Sequence, residues 1–182
     1  MTKKNIKFIC TIAIFLFLVL QLPYFTLTLS SAISYAVSIA AILDILYDHF
    51  LWRYNPLEKT PRIFGTYEEH CSSTYKDGIE YTAKAIIRQT LSSITVHEYA
   101  EGSGSADSIT ATLIKSSDVD GTWRLYYTYL THPAAGKSDD MHEGTVVLQI
   151  KNENELEGYY FTNRTSQTKG NQTMVRISKN TK

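Results

Sequence analysis

The chain has 182 residues, with 18 Lys and Arg against 18 Asp and Glu, so its formal charge is zero. From Pro56 onward 14 basic residues face 16 acidic ones, a balance that argues against a surface gripping long DNA or RNA by its phosphates. The two cysteines, Cys10 and Cys71, fall in dissimilar parts of the chain and supply no disulfide framework, which is compatible with a reducing compartment.

The first apolar run, residues 8–22, follows Lys3, Lys4 and Lys7. A secretory signal peptide shares that layout, with Ser30-Ser31-Ala32 as a small-residue cleavage site. The chain stays apolar well beyond Ala32, however, and cleavage there leaves a greasy new terminus. A transmembrane helical hairpin over residues 1–55 accounts for more. Its first helix is expected over residues 6–22, its turn at Gln21, Pro23 and Tyr24, and its second helix over residues 25–46, long enough to cross a hydrocarbon core needing ~20 residues. Trp52 and Tyr54 then fall where an interfacial aromatic belt is expected. Lys3, Lys4 and Lys7 precede the hairpin and Arg53, Lys59 and Arg62 follow it, with no basic residue in the turn. The positive-inside rule therefore puts both termini and the C-terminal domain in the cytoplasm.

The second helix is rich in small residues. Ser30, Ser34 and Ser38 recur every four residues, as do Ala32, Ala36 and Ala40, and the two rows are expected to line one broad face beside Ser31 and Ala41. Small side chains let helices approach closely in lipid. The face serves either packing against the first helix or association between chains. The first helix presents Phe15, Phe17, Leu18 and Leu20, bulky enough to face lipid. Asp44 has two readings as well. With Asp48 and His49 it marks where the helix leaves the membrane, or it lines a polar path when several copies assemble.

From Arg62 the pattern turns to period two, with strands expected at "RIFGTYEEHCS", "IEYTAKAIIRQ", "SSITVHEYA", "DSITATLIKS", "TWRLYYTYLTH", "GTVVLQIKN", "ELEGYYFTNR" and "NQTMVRISK". Turn signals separate most of them. The break near Thr90 and Leu91 has neither Gly nor Pro, so those two strands are open to being one long bent strand. Residues 56–182 are expected to form an eight-stranded antiparallel up-and-down β-barrel with room for one small ligand; a β-sandwich is the alternative.

Alternation puts Trp123, Leu125, Tyr127 and Tyr129 on one face, and Leu156, Gly158, Tyr160, Thr162 and Arg164 on one face of a later strand, with Arg164 near a barrel mouth. Arg176 lies on the last strand, which neighbours the first. An inward arginine must be paired or bind an anion, and tyrosines beside it are able to stack on nucleobases. Ordinary barrel core and surface ion pairs are the other reading. The loop "THPAAGKSDDMHEG" gathers His132, Asp139, Asp140, His142 and Glu143, either as metal ligands or as a polar hairpin loop. No zinc-protease pattern, phosphate-binding glycine loop, nucleophile elbow or CxxC pair occurs, so neither catalysis nor a cofactor is expected.

The order of parts resembles the two-transmembrane, β-strand-rich effectors of bacterial CBASS antiphage systems. The similarity lies in "IFGTYEE", "IIRQTLSSITV", "GSGSADS", "LYYTY", "HEGTVVL" and "LEGYYFTNR" followed by Gly170, and spans nearly the whole chain. It implies a barrel that senses a cyclic di- or oligonucleotide made by a partner nucleotidyltransferase, which need not touch the chain. It also implies self-association of the membrane helices and disruption of the bacterial inner membrane. On the matching positions it implies a ligand site of Gln89, Tyr127, Tyr129, His142, Tyr160, Thr162 and Arg164, with Arg176 a further candidate for phosphate. Association is assigned to Ser34, Ala36, Ser38, Ala40 and Asp44. The rival is a membrane-anchored, lipocalin-like barrel that carries a lipid or another small ligand without toxicity.

Overall fold

The computed structural model describes residues 3–20, 28–75, 78–100, 102, 104–117, 121–135 and 141–181. The chain divides into two compact units, one of Met1–Thr60 with Thr90–Ser92, the other of Pro61–Gln89 with Ser93–Lys182.

In the first unit, α1 (Lys3–Leu20) packs against α2 (Leu29–His49), and a 3-10 turn (Leu51–Tyr54) follows. The expected turn at Gln21, Pro23 and Tyr24 lies outside the described residues, as does position 25, where the second helix was expected to begin. Thr28 sets the start of α2. Its backbone is extended (φ −69°, ψ 154°) and its hydroxyl accepts from the Ser31 amide at 3.4 Å. Such a cap satisfies one of the donors that a helix leaves open at its first turn. At the other end α2 runs on to His49, past the expected end at Leu46.

Among the described residues α2 is the one helix long and apolar enough to cross a bilayer; the shorter apolar stretch of α1 is Cys10–Leu20. Of the bulky residues of α1, Phe15 and Leu18 are exposed, whereas Phe17 and Leu20 are half-buried. Trp52 is fully buried while Tyr54 is exposed.

The two small-residue rows of α2 do not share a face. Ala32, Ala36 and Ala40 form the buried side, whereas Ser34 and Ser38 are exposed. The rows are offset by two residues, about 200° around a helix with ~3.6 residues per turn, which puts them on opposite sides. Ser34 returns its hydroxyl to the Ser30 carbonyl at 3.0 Å, so it is satisfied within its own helix. Asp44 is half-buried near the C-terminal end.

The second unit is a closed antiparallel barrel in chain order: β1 (Gly65–Ser73), β2 (Ile79–Gln89), β3 (Ile94–Ala100), β4 (Gly104–Lys115), β5 (Trp123–Pro133), β6 (Glu143–Asn152), β7 (Glu155–Thr162) and β8 (Lys169–Ser178). β8 pairs with β1, which excludes the sandwich. β2 and β3 are separate strands, paired from Gln89 with Ile94 to Lys84 with Tyr99. Hydroxyl chemistry makes the turn that lacks Gly and Pro: the Ser92 amide donates to Thr90 Oγ1 at 3.3 Å.

The register separates two ends. Gly65, Gln89 and Ser178 belong to the end where the chain enters the barrel; Ser73, Ile79, Thr162 and Gly170 belong to the other. The core of the entry half is apolar, with Ile63, Ile87, Leu125, Leu148, Leu156 and Met174 fully buried. Fully burying such a side chain contributes ~1.5–3 kcal/mol relative to leaving it exposed. The half towards Ser73 is not filled in this way.

Candidate functional site

A cavity of about 260 Å³ opens at the end of the barrel opposite to chain entry. Of the expected site residues it brings together Tyr129, His142, Tyr160, Thr162 and Arg164. Alternation explains their convergence. Tyr129 follows the buried Leu125 and Tyr127 along β5, and Tyr160 and Thr162 follow the buried Leu156 along β7.

At the mouth, the link between β7 and β8 holds Arg164. Its geometry is fixed by Thr162 and Thr168, whose hydroxyls meet at 2.8 Å while the Thr162 amide donates to the Thr168 carbonyl at 2.9 Å. The Asn163 amide donates to the Glu143 carbonyl at 3.0 Å, and Asn163 Oδ1 accepts from the Glu143 amide at 2.9 Å. Arg164 then reaches His142, donating from Nε to Nε2 at 3.2 Å, and its guanidinium lies 4.8 Å from the centre of the Tyr75 ring. Accepting that proton requires His142 Nε2 to be unprotonated, and Nδ1 contacts Thr131 Oγ1 at 3.0 Å. Thr162 therefore shapes the loop that aims Arg164.

The floor is polar and acidic. Glu69 is buried, and its Oε1 accepts from the Cys71 thiol at 2.8 Å. Glu98 keeps partial exposure to the cavity, and its Oε1 accepts from the Tyr127 hydroxyl. The Tyr127 oxygen accepts in turn from Gln172 Nε2 at 3.0 Å. Burial pushes both carboxyls up from their ordinary range, and the charge of Glu98 pushes Glu69 further. Burial likewise raises the phenols of Tyr81, Tyr127 and Tyr129, so their hydroxyls stay protonated donors. Tyr127 thus belongs to the floor, beneath the cavity wall, rather than to the expected stacking surface.

Gln89 and Arg176 lie elsewhere. Gln89 is buried at the entry end, where its Oε1 accepts from the Ile63 amide at 2.9 Å and its Nε2 donates to the Pro61 carbonyl at 2.8 Å. Arg176 stands beside Tyr67, donating from Nε and Nη2 to its hydroxyl at 3.1 and 3.0 Å, and also reaches the Arg62 carbonyl. The Tyr67 hydroxyl donates to the Ile63 carbonyl at 2.8 Å. Both side chains satisfy buried backbone at the closed end, and neither lines the cavity. Of the candidate metal loop, Asp139 and Asp140 lie outside the described residues, His142 is engaged by Arg164, and His132 Nε2 lies 3.6 Å from Asp107.

Sequence reasoning missed Glu69, Glu98, Tyr75, Tyr81 and Thr131. The signal for the carboxyls was present: Tyr67, Glu69 and Cys71 alternate on β1, as Val96 and Glu98 do on β3.

Residues 58–176 match the family described as Cap15, cyclic dinucleotide receptor domain. The chain belongs to this family. It is also 33% identical over 135 residues to a CD-NTase-associated protein 15 from Staphylococcus schleiferi, a match covering 71% of each chain. This places the protein among the CBASS-associated effectors of the Cap15 family. The cavity lies within the matched segment of that receptor domain.

Proposed function

We propose that the barrel is the sensor of an antiphage effector and takes a cyclic dinucleotide at the cavity mouth. The observation that carries this reading is the division of the cavity into a cationic, aromatic rim and a hydrogen-bonding floor. Arg164 and Tyr75 stand at the rim with Tyr129 and Tyr160 on the wall. Arginine suits phosphate oxygens, and tyrosine rings suit the faces of bases. A lipid carrier instead calls for an apolar interior, which Glu69, Glu98 and Arg164 do not provide.

The N-terminal unit is the membrane part in this reading: a two-pass hairpin of α1 and α2 in the bacterial inner membrane, with both termini and the barrel cytoplasmic. Ligand favours a self-associating state through contacts stronger in that state than in the free one. The exposed Ser34 and Ser38 row is the surface for association between chains, since the Ala36 and Ala40 row is buried within the unit. Asp44 joins the assembled helices, and their assembly breaches the bilayer. The nucleotidyltransferase that makes the messenger acts through its product and needs no contact with the barrel.

Calorimetric titration of the full chain in lipid nanodiscs with 3′,3′-cyclic dinucleotides tests the sensor. Saturable binding supports it, and no heat across the panel removes it. For the membrane step, Ser34→Leu with Ser38→Leu is expected to abolish ligand-dependent dye leakage from reconstituted vesicles while binding persists; unchanged leakage overturns that step.

A further inference from the structure

Two carboxyls share the floor of the cavity, and their hydrogen bonds divide them. Glu98 takes the Tyr127 hydroxyl on Oε1 and has Gln172 as a second hydrogen-bond partner. Glu69 is only 2% exposed and takes the Cys71 thiol, a weak donor, on Oε1 at 2.8 Å. Among the described residues no salt bridge reaches either carboxyl. An enclosed carboxylate with one weak donor, no cation and a second carboxyl beside it is costly, and such a group keeps its proton instead. Burial and the charge of Glu98 both act in that direction on Glu69. With Oε1 accepting from the thiol, the proton belongs on Oε2. That atom is buried and has no hydrogen-bond partner among the described residues. What the floor leaves unmet is therefore a donor.

An unmet buried donor calls for an acceptor from the ligand. Phosphate oxygens qualify, and so do the carbonyl oxygens and ring nitrogens of bases. The arginine of the cavity, Arg164, stands at the mouth. A phosphate at the floor gives up that guanidinium and brings its charge towards Glu98. The cavity, about 260 Å³, is also smaller than the ~300–1,000 Å³ typical of sites that engulf whole small molecules. One base fits it better than an entire cyclic dinucleotide, and Tyr129 and Tyr160 on the wall supply ring faces for it.

Resting on the sensor reading, we propose that Glu69 meets the ligand as a neutral carboxylic acid, its Oε2 hydroxyl donating to an acceptor atom of the base that enters the cavity, while the phosphates stay at the mouth. A carboxyl kept neutral by its surroundings is able to donate in this way. Every common base carries such an acceptor, so Glu69 anchors the ligand without choosing between bases. Loss of the proton removes the donor and sets a negative charge against an anionic ligand, so affinity falls as pH rises. The titratable groups around Glu69 are Cys71 on its own strand, Tyr81 on β2, Glu98 on β3, Tyr127 and Tyr129 on β5 and Tyr160 on β7. His132, His142 and Arg164 line the cavity nearer its mouth, and His97 acts on Glu98. Burial raises the thiol and these phenols, which therefore remain protonated beside it.

The test titrates the full chain in nanodiscs with the tightest-binding member of the 3′,3′-cyclic dinucleotide panel between about pH 5 and 9. Glu69→Gln keeps a donor that does not titrate, and Glu69→Met keeps the length without a donor. At the acid end Glu69→Gln is expected to bind within about threefold of the parent chain, and Glu69→Met about tenfold or more weaker. Towards the alkaline end the parent chain is expected to lose about tenfold or more relative to Glu69→Gln. Comparison with Glu69→Gln isolates Glu69, because Glu98 and the histidines titrate in both chains. A parent-to-Gln affinity ratio that stays level or rises with pH overturns the proposal, and so does Glu69→Gln binding as poorly as Glu69→Met. The Glu69→Met loss is measured again with the bis-phosphorothioate form of the ligand. An equal loss is expected of a base partner, whereas a loss that disappears identifies a phosphate oxygen and overturns the placement. On the parent chain, the infrared band of the neutral carboxyl is expected to move to lower frequency when isotope-labelled ligand is added; an unmoved band overturns the proposal even if the variants fail to fold. All these failures leave the sensor reading standing, and that reading falls, with this inference, only if no dinucleotide binds.

Discussion

Gly144 and Tyr129 are cross-strand partners on β6 and β5, and the tyrosine ring covers the glycine inside the barrel. A Cβ at position 144 lies 2.6 Å from Tyr129 Cε1 and closer still to Cζ and the hydroxyl oxygen. Carbon atoms in comfortable contact are ~3.5–4.0 Å apart, so Gly144→Ala drives the ring away by about 1 Å. The obstacle is the far end of a side chain, and the ring has the cavity beside it to move into. The protein should therefore fold, with a loss of ~1–3 kcal/mol typical of one added methyl in a filled space. Binding should suffer beyond that. A base stacked on a correctly placed ring gains ~1–3 kcal/mol, and losing it weakens affinity by roughly five- to 150-fold. Denaturant unfolding and calorimetric titration on the same preparation separate the two effects. Tyr129→Leu alone also removes the stack, but combined with Gly144→Ala it should be no worse than alone, because the methyl then has room. Unchanged affinity in Gly144→Ala refutes the assignment of Tyr129 to the ligand wall; strictly additive losses in the double variant refute the steric reasoning.

Two further predictions separate the ends of the barrel and the charge state of its floor. Arg164→Gln is expected to weaken cyclic dinucleotide binding about tenfold or more with little change in stability, whereas Arg176→Gln should leave affinity within about twofold and lower stability by ~1–3 kcal/mol, as read by titration and unfolding of each. Because Glu69 and Glu98 hold protons more tightly folded than unfolded, their contribution to stability is complete below the ordinary carboxyl range and is lost as pH rises through their own raised values. Glu69→Met, measured by denaturant unfolding between about pH 4 and 8, should gain on the parent chain as pH rises; a gain independent of pH contradicts a raised carboxyl.

Much of this architecture was legible in the sequence because it depends on local signals. Period-two alternation locates the strands, turn residues separate all of them but β2 and β3, and the same alternation puts Tyr129, Tyr160 and Thr162 inside. Counting on from Leu156 along its strand puts Arg164 near a mouth, but alternation gives no end of the barrel for Arg176. It takes the pairing of β8 with β1, Arg176 opposite Tyr67, to set that arginine at the closed end. The acidic floor was hidden for a related reason. Glu68 and Glu69 are adjacent, and a slip of one residue exchanges the exposed carboxylate for the buried one. In α2 the four-residue spacing was plain, but grouping the Ser and Ala rows on one face overlooked the two-residue offset between them. The hydroxyl-built turn at Thr90 and Ser92 lacks the Gly or Pro that makes most turns visible.

Hydrogen exchange on the full chain in nanodiscs, with and without a saturating cyclic dinucleotide, tests the placement of the ligand most directly. Amides near the mouth, on β1 from Glu69 to Ser73 and on β7 from Tyr160 to Thr162, are expected to gain protection. Those beside the closed end, around Gly65, Gln89 and Arg176, should exchange as before. Protection confined to the closed end, or none in the barrel when binding is saturated, would contradict the account.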